Sequence, residues 1–329
     1  MTHRASLYII EALARETMRY PFKVWGFGEG IALDALWDAD SVVPQVGCKA
    51  FVLSLLEQWL ARPIIEPDHS APGLLLVTAH QETGDARYLE RALALARHML
   101  QLPRTLHGAA LHRPGHADFH DYLYVDCMEV DGPFLCALGT ATGDHTFIDA
   151  GVEQLLSYCE ILQDPDTGLF YHQYDALAGR VNGAFWGRGN GWALLGLLKT
   201  LRQIPKGHDI YSQILGRFKQ LAGALAERQL PDGGWSTVID RPDTYSEASL
   251  PAMFGLAFQI GIADGLLESF LQPVVDRAWQ ATSRRIADGL LLGVSSGTPP
   301  GDAMHYAAVT TGSGFPWGQG PALSFALEA

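Results

Sequence analysis

Four groups of residues, far apart in the chain, carry side chains able to do chemistry. They are Asp68-His69; Asp126 with Glu129 and Asp131; the run Trp186-Gly187-Arg188-Gly189-Asn190-Gly191-Trp192; and Tyr245-Ser246-Glu247. Carboxylates suit general acid–base work, since one group delivers a proton and later recovers it. Arginine grips a carboxylate in a bidentate fork, and tryptophan offers a flat face on which a sugar ring can stack. Together they fit a charged sugar. Ordinary retaining and inverting glycosidases also use two carboxylates, so the pair alone does not name a reaction.

Such groups act together only if the fold gathers them. Tyr88, Ala92, Leu95 and Met99 form one helical stripe; Ile148, Val152, Leu155, Cys159 and Leu162 form another; Ile210, Ile214, Phe218, Leu221 and Leu225 form a third. These are one-faced helices. Between them lie stretches 71–80, 133–141, 192–201 and 250–262, apolar or small nearly all round. Helices of that composition are buried on every side. The polar groups precede these buried stretches at Asp68, Asp126, Arg188 and Glu247, in steps of 58, 62 and 59 residues. Thr83-Gly84-Asp85 and Thr142-Gly143-Asp144 recur 59 residues apart, each leading into a one-faced helix. The repeat extends back to Trp25–Glu29 and forward to Trp317–Gln319, which makes six helix pairs. An inner and an outer ring follow: an all-α (α/α)6 barrel, read as one catalytic domain over 1–329. Longer loops (104–121, 164–188, 230–245 and 288–316) fall at the end where inner helices begin. Inner-helix N-termini at that mouth favour an anion.

Composition excludes several classes. Apolar residues make up 48% and charged residues 18% of 329, with 35 Gly and 18 Pro, which excludes disorder, collagen and coiled coil. The net charge of −13, from 23 basic and 36 acidic residues, includes no basic run, so no nucleic-acid partner is expected. It also opposes an anionic substrate, but charges beyond about 8 Å are screened, so local donors decide. Cys48, Cys127, Cys136 and Cys159 form no CxxC pair, so neither a disulfide framework nor a zinc site is expected. Arg4, Glu11, Arg15, Glu16 and Arg19 interrupt any signal-peptide core, and no run of about 18 apolar residues exists. A cytoplasmic protein without a membrane partner is the expectation.

The motifs resemble a known family. Tyr124-Val125-Asp126 through Pro133-Phe134-Leu135 is similar to the WxD…PFL motif of glycoside hydrolase families 105 and 88, with Tyr in place of Trp. Phe185-Trp186-Gly187-Arg188-Gly189-Asn190-Gly191-Trp192 resembles their WxRGNGW motif, the more specific of the two. Asp166-Thr167-Gly168-Leu169-Phe170-Tyr171-His172, Asp232-Gly233-Gly234-Trp235, Ser246-Glu247-Ala248-Ser249 and Pro316-Trp317-Gly318-Gln319-Gly320 also match. The likeness runs from about Trp25 to the C-terminus and is closer to family 105, the unsaturated rhamnogalacturonyl hydrolases.

The resemblance implies an (α/α)6 barrel that releases a 4,5-unsaturated uronic acid from lyase-generated oligosaccharides by hydrating the C4=C5 bond. It implies no metal and no cofactor. It places the acid–base role on Asp126 and the second functional carboxylate on Asp68. Trp25, His69, His172, Trp186, Arg188 and Trp192 are the implied substrate-binding residues, with Asp175 completing the YHxxD pattern. Competing readings stay open. Asp126 and Asp68 also suit helix capping. Asn190 and Glu247 suit capping better than catalysis. Glu129 and Asp131, unusual for the family, divide the acidic roles differently if one of them is the acid. The alternatives to the rhamnogalacturonyl reading are an unsaturated glucuronyl hydrolase acting on other fragments, and an epimerase-like or non-catalytic sugar-binding barrel.

Overall fold

The computed structural model describes residues 6–22, 26–65, 68–69, 71–114 and 121–329. Its helices are α1 (Leu7–Met18), α2 (Phe27–Ala39), α3 (Cys48–Leu60), α4 (Gly73–Thr83), α5 (Ala86–Leu100), α6 (Asp131–Thr142) and α7 (His145–Leu162). They continue as α8 (Gly187–Gln203), α9 (Tyr211–Ala226), α10 (Ser249–Ala263), α11 (Gln272–Ser283), α12 (Ala303–Ala307) and α13 (Pro316–Glu328).

Helices α2, α4, α6, α8, α10 and α13 pack each on the next, and α13 closes the ring on α2. Outside them, α1 lies on α13 and α2, while α3, α5, α7, α9 and α11 lie on α2, α4, α6, α8 and α10. This is the (α/α)6 barrel that the repeat predicts. The two kinds of helix differ as expected. In outer α7, Ile148, Val152, Leu155, Cys159 and Leu162 are buried on one face. Inner α10 buries an unbroken run from Ser249 to Phe258. Ile210 alone departs from its stripe, because it lies just before α9 begins.

The recurring Thr-Gly-Asp tripeptides are the inner-to-outer turns. Gly84 and Gly143 both end their helices at φ +73°, a conformation that costs a residue with a Cβ more than it costs glycine. Asp85 and Asp144 then cap α5 and α7, accepting from the amides of Arg87 and Thr146.

Short strands, in three small sheets among the described residues, have no counterpart in the helical pattern. A small antiparallel sheet orders β1 (Tyr122–Tyr124), β2 (Gln173–Asp175) and β3 (Arg180–Val181), with Tyr124 opposite Gln173. No helix among the described residues is long and apolar enough to cross a membrane.

Candidate active site

The sheet sets the position of the first carboxylate. β1 runs directly into a 3-10 turn, Val125–Met128, which carries Asp126. The amide of Val125 donates to the carbonyl of His172, just before β2. Asp126 and His172 therefore meet: Oδ2 of Asp126 lies 3.2 Å from Nε2 of His172, and both side chains are almost wholly buried. This oxygen has no aligned hydrogen-bond donor. Catalytic contacts in substrate-free enzymes are often loose in this way. Behind the turn, a Cβ on Gly196 of α8 would overlap the carbonyl of Met128, so helix and turn touch backbone to backbone.

The hydrogen bonds behind His172 fix its tautomer. Asn182 Oδ1 accepts from the amide of Gln173, so its Nδ2 is the donor, to Gly301 O at 2.7 Å and Tyr306 Oη at 2.9 Å. The amide of Gly301 also donates to Tyr306 Oη, at 3.0 Å. With both acceptor sites used, the Tyr306 hydroxyl gives its own proton to Nδ1 of His172, 2.8 Å away. Burial, reinforced by Asp126, pushes this hydroxyl above the ordinary tyrosine range, so it remains a donor. His172 accordingly carries its hydrogen on Nε2, facing Asp126.

An aromatic wall completes this side. The His172 ring stacks on Trp186 at 4.2 Å, and Trp186 stacks on Tyr306 at 5.9 Å. The Arg188 guanidinium lies over Trp186 at 4.6 Å and Trp317 at 5.5 Å. The carboxylate fork expected of Arg188 is occupied by protein. Nη1 donates to Ser295 Oγ and O, Nη2 to Ser296 O at 3.0 Å and Thr298 Oγ1 at 2.9 Å, and Glu247 lies 3.5 Å away. Burial draws this guanidinium below its usual range, an effect that Glu247 and then Asp126 oppose.

The other expected residues separate into groups. Asp68 is as buried as Asp126, at 4% exposure, but its oxygens are taken by Arg62 at 2.7 and 3.3 Å and by the amide of Ile65 at 2.7 Å. His69 lies 5.0 Å ring to ring from His112, with Nδ1 3.9 Å from Asp131. Trp192 is fully buried within the hydrophobic core. Asn190 clamps Phe170 through both its amide and its carbonyl. Glu247 caps α10 through Ser249 and holds the amide of Ser295. Asp175 closes the turn after β2 by accepting from Leu177 and Ala178. Trp25 lies outside the described residues.

Comparison with known proteins identifies the framework. The family model described as Glycosyl Hydrolase Family 88 matches residues 21–329. The chain belongs to that family. It is 29% identical over 331 residues to the unsaturated rhamnogalacturonyl hydrolase YesR of Bacillus subtilis, covering 97% of this chain and 93% of that protein. Among solved structures, a possible family 105 member from Salmonella enterica superposes with a TM-score of 0.86 at 21% identity, covering 100% of this chain and 95% of that one. The unsaturated glucuronyl hydrolase of Bacillus sp. GL1 gives 0.74 at 18% identity, covering 98% and 96%.

Within this family 88 glycoside hydrolase, sequence reasoning missed four site residues. Tyr306 and Asn182 fix His172, but Tyr306 lies in α12, too short for a helical stripe, and Asn182 directly follows the two-residue β3. His112 packs edge-on against Tyr124 at 4.9 Å, and burial, then His69, pushes its imidazole well below the ordinary range. Arg113 beside it holds a positive φ of 46°, a strained conformation for a side chain of that size. No sequence pattern marks these four.

Proposed function

We propose that this chain is an unsaturated uronyl hydrolase of the family 105 type. Its substrate is a small lyase product, the unsaturated rhamnogalacturonyl disaccharide. The observation that carries this reading is Asp126 facing a tautomer-fixed His172 in a barrel similar over nearly its full length to YesR. Asp126, as the acid, protonates C4 of the vinyl ether. Water adds at C5 and returns a proton to the same carboxylate. The hemiketal opens, and the uronic acid leaves in its ring-opened keto form. His172, whose Nδ1 is occupied by Tyr306, presents Nε2–H to Asp126 and steadies it when ionised.

The Trp186 ring, covered by His172 and Arg188, holds these two side chains in place rather than stacking on a sugar, and the stacking role falls to Trp25. Arg188 acts by shaping the 295–298 segment around the ligand. Asp68, bonded to Arg62, positions the water, and His69 and Trp192 support the mouth from behind. We read residues 1–329 as one domain, cytoplasmic, and acting on imported disaccharides.

The test is the loss of ultraviolet absorbance of the conjugated C4=C5 bond, with wild type beside Asp126→Asn. Absorbance loss in the wild type alone, on unsaturated galacturonyl-rhamnose, supports the reading. A preference for glucuronyl disaccharides moves the substrate and leaves the reaction standing. No loss with any unsaturated uronide overturns the reading.

A further inference from the structure

We propose that His69, His112 and Cys127, with Asp131 beside them, form a binding site for a thiophilic divalent cation of the zinc class. This inference does not depend on the function proposed above. The four residues come from separate places: the 68–69 turn, the loop after α5, the turn that carries Asp126, and the start of α6. The barrel brings them together. The candidate donor atoms of His69, His112 and Cys127 all lie within 4.8 Å of one another, and all three side chains are buried.

One spacing in the group matches that of a tetrahedral metal. Two nitrogens and a sulfur around a tetrahedral zinc stand roughly 3.3–3.6 Å apart, given bonds of about 2.0 and 2.3 Å. Cys127 Sγ and His112 Nδ1 are already 3.4 Å apart. Two further buried atoms lie unbonded beside these donors. His69 Nδ1 and Asp131 Oδ1 are buried without any hydrogen-bond partner. They face each other at 3.9 Å, too far to bond directly. The remaining Asp131 oxygen accepts from Gln154, so the carboxylate is anchored. A divalent cation, the Cys127 thiolate and the Asp131 carboxylate sum to zero charge, the condition under which an ion is cheaply buried. Two imidazoles and a thiolate select zinc-class ions over magnesium and calcium, which take oxygen donors. On binding, the thiol S–H bond breaks, an S–metal bond forms, and the proton leaves to solvent.

The lack of any CxxC pair conceals this site in the sequence. Its three donors stand 43 and 15 residues apart and share no spacing rule.

The test uses the full chain, stripped of metal by a chelator, reduced, and titrated with Co²⁺ as the probe. A thiolate-to-cobalt charge-transfer band should rise to one equivalent, with visible bands of tetrahedral cobalt. Cys127→Ser should abolish the charge-transfer band, and Cys159→Ser should leave it intact. His69→Gln, which keeps the thiol, should weaken Co²⁺ binding about tenfold or more. Circular dichroism of each metal-free variant checks folding. A wild-type chain without the band overturns the proposal, as does a band that survives Cys127→Ser. Should Cys127→Ser fail to fold, His69→Gln decides: unchanged Co²⁺ affinity overturns the proposal.

Discussion

Asp126 and Glu129 lie three residues apart on one turn and are equally buried, yet they face different worlds. Asp126 meets the imidazole of His172, whose orientation Tyr306 fixes. Glu129 points into the barrel, where Lys199 bonds it and also reaches Asp34 at 2.7 Å. Asp131 turns a third way, to Gln154 and His69. A carboxylate bonded to Lys199 ties the turn to α8 and, through Asp34, to α2. The cluster of three acids is therefore a division of labour by direction. The same contrast separates Asp126 from Asp68, whose oxygens Arg62 and Ile65 occupy.

The largest expected effect tests that contrast directly. Asp126→Asn should lower kcat on the unsaturated disaccharide by about 10²–10⁴-fold, the range of a general acid–base group. Glu129→Gln should stay within about tenfold of wild type, roughly 1.4 kcal/mol in the barrier. Initial rates on both purified variants check this. Equal losses in the two variants, with folding intact, would end the distinction.

Next comes the support beneath the turn. Gly196→Ala places a methyl group against the Met128 carbonyl, where backbone meets backbone. Overpacking of this kind costs about 1–3 kcal/mol of stability. A displaced acid, even by about 1 Å, can cost 10²-fold in rate. A lower melting temperature with a fall in kcat larger than the change in KM is expected. A variant that lost stability but kept its kcat would show that the turn tolerates movement.

Tyr306→Phe should act more mildly. The ring still stacks on Trp186, but Nδ1 of His172 loses its donor. A buried group left unsatisfied costs about 1–3 kcal/mol, so kcat should fall by roughly tenfold or somewhat more. The loss should appear in kcat rather than in KM, because Nε2–H is no longer held toward Asp126. An unchanged kcat would show that something other than Tyr306 sets the tautomer.

What the sequence reveals and what it hides follow the same physics. The barrel is legible because burial on one face or on all faces leaves a periodic trace, and six repeats print it six times. Asp126, His172, Trp186 and Arg188 are legible because each sits in a local motif beside the start of a strand or inner helix. Their partners are not. Tyr306 and Asn182 reach His172 from other segments, and Lys199 reaches Glu129 across the barrel. The occupation of Arg188 by the 295–298 segment could not be foreseen, since neither Ser295 nor Thr298 carries a motif. The strands of β1–β3 are two or three residues long, too short for alternation to show. Long-range hydrogen bonds leave no periodic signature.

The smallest expected effect concerns the inward acid alone. Burial pushes the Glu129 carboxyl up to about 7 from an ordinary value near 4.5, with Lys199 opposing and Asp34 adding to the rise. The folded state then binds the proton more tightly than the unfolded state does. Between about 4.5 and 7 the native chain holds more protons, so stability falls as pH rises through that window. Glu129→Gln removes the titration while Asp34 still pairs with Lys199. The variant's melting temperature should therefore change less with pH across this window, by roughly 1–4 °C relative to wild type. Thermal melts at several pH values check the slope. If the slope is unchanged, Glu129 is ionised throughout, and Lys199 outweighs burial. In that case the contrast on the turn rests on the partners alone, Lys199 for one acid and His172 for the other.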